Sequence, residues 1–288
     1  MNAVKTVILM LLLSVLIVWI GGLVGGRAGA AVALLVAIGV NAFSYFFSDS
    51  FALAMANAVS AEQAGRGDLV DQVRALCLHA GLPMPRVYVS PSSLPNAFAA
   101  GRSPKHAIVV VNEGLLDRMD RRQIDGVLAH ELSHIKHRDI LIATIAASMA
   151  GAITWLAQAL QWGLLWGGAS EQEDRRDSHW ISEIALMVLA PIAATLIQLS
   201  ISRSREFAAD AGAARLTRDP EGLANALLAL ESHAARPVYE DGSDRPMAAA
   251  MAHMYIVNPL SGQSIFKLFS THPPTEERVR RLRQMRVG

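Results

Sequence analysis

Four long runs of the chain contain no charged side chain, and they dominate its hydrophobic pattern. They cover residues 6–26, 28–48, 140–170 and 184–202. A helix needs about 20 apolar residues to cross the hydrocarbon core of a bilayer, and each run is near or above that length. The pattern therefore predicts four membrane helices in two hairpins, with the tight turn of the first hairpin at Arg27.

The runs leave two alternatives open. The first run resembles a signal peptide, although the apolar stretch of a signal is only about 7–15 residues long. The third run contains two glutamines and three tryptophans, and the fourth contains Pro191. Tryptophan is enriched where helices meet the membrane surface, so the end of the third run near 160–170 is expected to be interfacial. Runs three and four are alternatively an apolar helical pair that lines a cleft at that surface.

Outside the runs, polar and apolar positions mix as they do in globular domains. The chain divides into a membrane hairpin (1–48), a first half-domain (49–139), a second hairpin (140–202) and a second half-domain (203–288). Lysine and arginine number ten in 49–139 and twelve in 203–288, but only two in the connector 171–183, which has five acidic residues. Positive charge favours the cytoplasmic side, so both half-domains are predicted to face the cytoplasm.

The overall composition excludes several classes of protein. The chain has 288 residues, of which 52% are hydrophobic and 18% charged, so it is not a disordered protein. Cys77 is the only cysteine, which excludes a disulfide scaffold and a thiolate metal site within the chain and fits a reducing compartment. The net charge of +1 argues against a nucleic-acid partner.

Residues 130–134 form the motif His-Glu-Leu-Ser-His. Positions four apart lie on one face of a helix, so the imidazoles of His130 and His134 can bind one Zn²⁺. Glu131 can then act as a general base toward water at the metal. The alternative is a pair of exposed histidines on an amphipathic helix.

The neighbouring residues predict that this motif lies on a helix. Asp120 and Gln123 have the spacing of a capping box. Apolar residues then recur at helical spacing, and no glycine or proline interrupts 127–150. The helix is therefore expected to run directly into the third apolar run.

A catalytic zinc needs a third protein ligand, and segment 204–210 offers two carboxylates. Glu206 and Asp210 lie four residues apart on a predicted helix. One carboxylate can bind zinc while the other orients a histidine ligand; a solvated acidic face is the alternative. His134 lies six residues before the third run and Glu206 four residues after the fourth. A hairpin of these runs brings both to the same membrane face, which predicts a zinc site at the cytoplasmic membrane surface.

Three segments together resemble the HtpX-type membrane zinc endopeptidases, relatives of the CAAX prenyl endopeptidases. The segments read HELSHIKHRD, SRSREFAAD and STHPPTEER. The resemblance implies His130, His134 and Glu206 as ligands of one Zn²⁺ per chain, Glu131 as the general base, and Asp210 outside the ligand set. The fold is then mainly α with a small β-sheet: a zincin-like (gluzincin) catalytic domain in the cytoplasm, attached to four apolar helices in a bacterial inner membrane.

The resemblance also gives meaning to two further segments. Leu94–Gly101 is similar to the segment beside the substrate cleft, an edge strand that can pair with an extended peptide. It implies that Asn96 binds the substrate backbone, with Ala97 and Phe98 beside it; a plain hairpin strand is the alternative. His272 is implied either to stabilise the developing oxyanion or to dock the C-terminal helix.

Two other stretches complete the expectations. Ala107–Val111 has the apolar pattern of a buried strand beside Leu94–Gly101. Segment 236–264 is rich in methionine, proline and glycine, which is typical of a loop, here one that covers the cleft.

The expected function is cleavage of misfolded or damaged membrane proteins on the cytoplasmic side, as quality control under stress. The partners are then the lipid bilayer and membrane-protein or peptide substrates, and self-cleavage is an expected side reaction. One alternative is an intramembrane site-2-type metalloprotease, but residues 136–139 are too polar for the bilayer centre. Another alternative is a non-catalytic zinc-binding scaffold.

Overall fold

The computed structural model of the chain describes residues 2–146, 202–234, 256 and 273–287. Four expectations lie wholly or mostly outside these residues: the third and fourth apolar runs, the loop 236–264, and His272.

The N-terminal helical segment α1 (Asn2–Phe46) folds back on itself. Gly26 has a positive φ of 57°, and Nδ2 of Asn41 donates a hydrogen bond of 2.7 Å to Oγ of Ser14, 27 residues earlier. The chain thus reverses direction at Gly26, next to Arg27, where the tight turn of the first hairpin was predicted. Within the described residues, Gly26–Phe46 is long and apolar enough to cross a membrane, and Thr6–Trp19 is a shorter apolar helix.

A four-stranded mixed sheet follows. Its strands are β1 (Val59–Ser60), β2 (Arg86–Ser90), β3 (Ala97–Gly101) and β4 (Ala107–Asn112). The order is β1-β2-β4-β3; β2 and β4 are parallel, and the other pairs are antiparallel. The two predicted strands are therefore neighbours, and β3 lies at one edge of the sheet.

Helices make up most of the remaining described structure. They are α2 (Ser48–Met55), α3 (Gly67–Ala80), the short α4 (Glu113–Leu116), α5 (Arg121–Lys136), α6 (from 140 to the end of the described segment at 146), α7 (Arg203–Thr217), α8 (Pro220–Ala234) and α9 (Thr275–Gln284). The prediction of a mainly α fold with a small sheet is confirmed.

Helix α5 packs against three other helices of the described structure. The predicted capping box is present: Asp120 accepts from the backbone of Gln123, and Gln123 accepts from the backbone of Asp120. The apolar face of α5 enters the main core, packing against α3, α7 and α8. A Cβ at Gly212 of α7 would lie 2.5 Å from Oγ of Ser133. The absent side chain lets α7 approach α5 closely.

The expectation of one continuous helix through 127–150 is wrong. Helix α5 ends at Lys136, and Arg138 has a positive φ of 57°. The backbone N–H of Asp139 donates to the carbonyl of His134, and helix begins again at 140. The break needs neither glycine nor proline, and it turns the carboxylate of Asp139 back toward His134.

Candidate active site

The two histidines of α5 and one carboxylate of α7 converge on a single point. The Nε2 atoms of His130 and His134 lie 3.2 Å apart. Oε2 of Glu206 lies 3.7 Å from Nε2 of His130, and Oε1 lies 3.6 Å from Nε2 of His134. One donor atom from each residue lies within 4.8 Å of the others. Two imidazoles and a carboxylate are a common donor set for catalytic zinc, so these residues can hold a divalent ion.

A second layer of side chains surrounds His130. Its Nδ1 atom lies 3.0 Å from Oδ1 of Asp210, in a contact that falls short of a linear hydrogen bond. Arg278 of α9 donates to both oxygens of Asp210, from Nε at 2.8 Å and from Nη2 at 2.7 Å. All three side chains are buried. Asp210 therefore links His130 to a buried arginine on the C-terminal helix.

His134 has a carboxylate partner of its own. Its Nδ1 atom lies 3.3 Å from Oδ2 of Asp139, and Oδ1 of Asp139 lies 3.6 Å from Nε of Arg205. Sequence reasoning missed this contact, because it depends on the unpredicted helix break at Arg138. It also missed the contact of Arg278 with Asp210, because the two residues are 68 positions apart.

Burial disfavours the protonated form of both histidines, and the neighbouring groups determine whether each pKa is lowered or raised. For His130, burial dominates and lowers the pKa despite the contact with Asp210. For His134, burial is outweighed by Asp139 and by the charge of Glu206, which raise its pKa to about 9. Burial also opposes the charge of Asp210, but Arg278 outweighs it and lowers that pKa to about 2. His130 is thus neutral, and its Nε2 lone pair can serve a metal ion.

Glu131 lies between this cluster and the sheet. It is buried, and its Oε2 accepts a hydrogen bond of 2.8 Å from the backbone N–H of Ala99 in β3. The Glu131 carboxylate therefore contacts the edge strand of the sheet, whereas His130 and His134 face Glu206. This places a proton acceptor next to both a metal-binding cluster and a strand edge.

Comparison with known proteins decides the family. Residues 63–286 match the family model described as Peptidase family M48. The chain belongs to this family.

Close relatives agree with the M48 assignment. The chain is 48% identical over 287 residues to a "Protease HtpX homolog" from Pelotomaculum thermopropionicum, with all of both chains covered. It is 48% identical, with the same coverage, to one from Syntrophotalea carbinolica. The crystal structure of S. mikatae Ste24p covers 84% of this chain and 58% of its own, with 18% identity and a TM-score of 0.45. The two HtpX homologs and the family model confirm the HtpX-type resemblance, and the protein is a metalloendopeptidase.

The remaining predicted residues of this M48 chain occupy different surroundings. Ala97 and Phe98 lie on the edge strand and are buried. Asn96 precedes them, with an exposed fraction of 1%, and its Oδ1 accepts from the backbone N–H of Ile256 at 3.2 Å. Its Nδ2 amide has no hydrogen-bond partner among the described residues. His272 lies outside them.

The backbone of Ile256 connects Asn96 with the second layer. Its N–H is bound by Asn96, and its carbonyl accepts from Nη1 of Arg278 at 3.1 Å. Arg278 thus touches both Asp210 and the residue that holds Asn96. The buried guanidinium of Arg278 therefore connects the start of strand β3 with Asp210, the carboxylate that contacts His130.

Proposed function

We propose that this M48 protein is a membrane-bound zinc endopeptidase that cleaves misfolded or damaged membrane proteins at the cytoplasmic membrane surface. The observation that carries the proposal is the position of Glu131. Its carboxylate lies between the His130–His134–Glu206 cluster and the edge strand β3. A peptide bond bound along that edge lies next to both the base and the metal-binding residues.

The metal is proposed to be one Zn²⁺ held by His130, His134 and Glu206. Three protein ligands with one open position are typical of catalytic rather than structural zinc. When bound there, zinc supplies Lewis acidity, which polarises a carbonyl and makes water more acidic. Asp210 and Asp139 are proposed to fix the orientation of the two imidazoles from their Nδ1 sides.

The residues of this protein carry out the proton transfers and bind the substrate. Glu131 accepts the proton of the attacking water and later delivers it to the leaving nitrogen. The outward backbone groups of β3 pair with the extended substrate, and the unpaired Nδ2 of Asn96 is proposed to donate to it, beside Ala97 and Phe98. His272 is proposed to donate to the oxygen of the scissile carbonyl as negative charge develops there.

The membrane location rests on the apolar runs and on the polar end of α5. Lys136, His137 and Arg138 follow His134 and are exposed, which fits a site at the membrane surface rather than in the bilayer centre. The charge distribution of the connectors supports a cytoplasmic location for that surface. Cytosolic loops and tails of inner-membrane proteins are then the substrates, under quality control during stress, and the protein's own loops are exposed to self-cleavage.

The test uses the full-length protein in vesicles of bacterial lipid, with an unfolded membrane protein as substrate. Removing metal with a chelator should abolish cleavage, and one equivalent of Zn²⁺ per chain should restore it. The same substrate in its folded state should be cleaved much more slowly. Full cleavage by the metal-free protein, or equal cleavage of folded and unfolded substrate, would contradict the proposal.

A further inference from the structure

The edge strand β3 turns every second backbone N–H away from the sheet. The carbonyl of Asn96 accepts a hydrogen bond from the N–H of Asn112, the last residue of β4, while the N–H of Ala99 donates to Glu131. Because the direction alternates along an antiparallel pair, the outward N–H groups belong to Ala97, Ala99 and Gly101. These are the groups that an added peptide strand would use.

The Gly101 end of this edge is already occupied. The N–H of Gly101 donates a hydrogen bond of 3.0 Å to Oγ1 of Thr144, whose hydroxyl donates to the carbonyl of Ile140 at 2.6 Å. Thr144 has an exposed fraction of 1% and lies within α6. The Thr144 hydroxyl therefore accepts one hydrogen bond from the strand and donates another within its own helix. These two bonds and the helix hold the side chain against the strand edge, whereas a loop residue could move away.

The Ala97 end differs. Within the described part of the chain, the outward N–H of Ala97 has no such partner, and the N–H of Ala99 donates to Glu131, the proposed general base. Among these described groups, the N–H of Gly101 is the one bound by a side chain that also hydrogen-bonds to its own helix.

We propose that Thr144 is a specificity-determining residue that ends the peptide-binding edge on one side of the scissile bond. The proposal rests on the proposed function, in which Glu131 and Ala99 mark where the bond is cut. Gly101 is two residues beyond Ala99, a rise of about 7 Å along a strand. A bound peptide therefore pairs with the sheet for no more than about two residues on this side.

The preferred substrate follows from this closed end. A segment that turns away from the sheet within about two residues on the Gly101 side of the cut satisfies the cleft. Because Thr144 lies in the helix that enters the third apolar run, the closed end is also the end that adjoins the proposed membrane helix.

The experiment measures kcat/KM for fluorogenic peptides lengthened by one residue at a time, first on one side of the cut and then on the other. The full-length, zinc-loaded wild-type protein should gain about three- to tenfold for each residue that adds a backbone hydrogen bond. The gain should stop after about two residues on the side that faces Thr144. Thr144→Ala should extend the gain by at least one further residue on that side. Thr144→Ser, which keeps the hydroxyl, should behave as wild type.

Two outcomes would overturn the proposal. In wild type, one is a gain that continues past two residues on both sides, which needs no variant to observe. The other is an identical length profile for wild type and a folded Thr144→Ala protein. Failure of the proposed function is distinguishable, because the wild type would then cleave none of the peptides at any length.

Discussion

Each of the two histidines in the proposed metal site is held by its own carboxylate. His130 contacts Asp210, and His134 contacts Asp139. Such partners typically change metal affinity by 10- to 100-fold when they are removed. The two pairs differ in charge balance: Arg278 donates twice to Asp210, whereas Asp139 lies 3.6 Å from Arg205 and, together with Glu206 and Glu131, raises the pKa of His134 to about 9. We therefore expect Asp139 and Asp210 to affect the pH dependence of zinc binding differently.

Asp139→Asn should shift the pH dependence of zinc binding. With the His134 pKa near 9, a zinc ion must displace a proton at lower pH, so wild-type affinity should rise about tenfold per pH unit and level off near pH 9. Without Asp139 the pKa moves toward its usual value of about 6.5, and affinity should level off at lower pH. The measurement is competitive titration with chelator-buffered Zn²⁺ from pH 6 to about 9.5.

Asp71→Asn is the matched control, because Asp71 is an exposed carboxylate on α3 that pairs with Arg74. It should leave both the affinity and its pH profile unchanged. An unchanged profile in Asp139→Asn would show that Asp139 does not set the proton affinity of His134.

Arg278→Ala should destabilise the whole domain. It leaves the buried Asp210 carboxylate without its cation, and such a loss typically costs about 3–5 kcal/mol. Thermal unfolding followed by circular dichroism should show a large drop in melting temperature. Arg283→Ala removes an exposed pair with Glu221 and should change it little, since exposed ion pairs contribute little to stability. Equal melting temperatures for the two variants would refute the structural role of Arg278.

At the scale of elements, the site depends on two close helix contacts made by α5. Gly212 lets α7 reach Ser133, which brings Glu206 over the histidines. Gly126 faces α8, where a Cβ would lie 2.8 Å from the backbone N and Cα of Leu223. Backbone atoms cannot rotate aside, so the second contact requires glycine more strictly than the first.

Gly126→Ala should therefore lower stability, although alanine is normally the better helix former. Overpacking of this kind typically costs about 1–3 kcal/mol. Gly67→Ala is the comparison, because Gly67 begins α3 and a Cβ there would meet nothing within 4 Å. The melting temperature should fall for Gly126→Ala and stay level or rise for Gly67→Ala. A rise for both would mean that α5 and α8 are not packed this closely.

Local patterns and the family resemblance predicted the elements and the approach of Glu206 to the histidines, but not the contacts made by Asp139, Thr144 and Arg278. The capping box at Asp120 marked the start of α5, and the apolar run Ala107–Val111 predicted a buried strand beside Leu94–Gly101. The end of α5 was missed because a left-handed arginine at 138 leaves no signal in composition. The contacts of Asp139 and Thr144 follow from that break, so neither role was visible in the sequence. Arg278 lay in a recognised motif, but its partner is on another helix.

At the scale of the whole molecule, the single cysteine makes the proposed orientation in the membrane testable. Cys77 is buried, and burial raises its pKa to about 11. Thiol reagents act on the thiolate, so Cys77 should stay unlabelled in the folded protein. Any labelling of an introduced cysteine then reports only the side of the membrane.

Introduced cysteines should map the two sides. In intact cells with a permeable outer membrane, an impermeant maleimide should label Ser178→Cys in the connector 171–183 but not Asp71→Cys on α3. Inverted vesicles should give the opposite pattern, and the wild type should be labelled only after denaturation. Labelling of Asp71→Cys from outside intact cells would reverse the proposed orientation.

The central claim is that Glu131 performs proton transfer beside a metal that three other residues hold. Glu131→Gln keeps the shape of the side chain, and its amide oxygen can still accept from Ala99. We expect the variant to bind one Zn²⁺ per chain with wild-type affinity while its kcat falls by about 10²- to 10⁴-fold. Glu113→Gln, an exposed carboxylate on α4, should leave both unchanged. Wild-type cleavage by zinc-loaded Glu131→Gln would contradict the account.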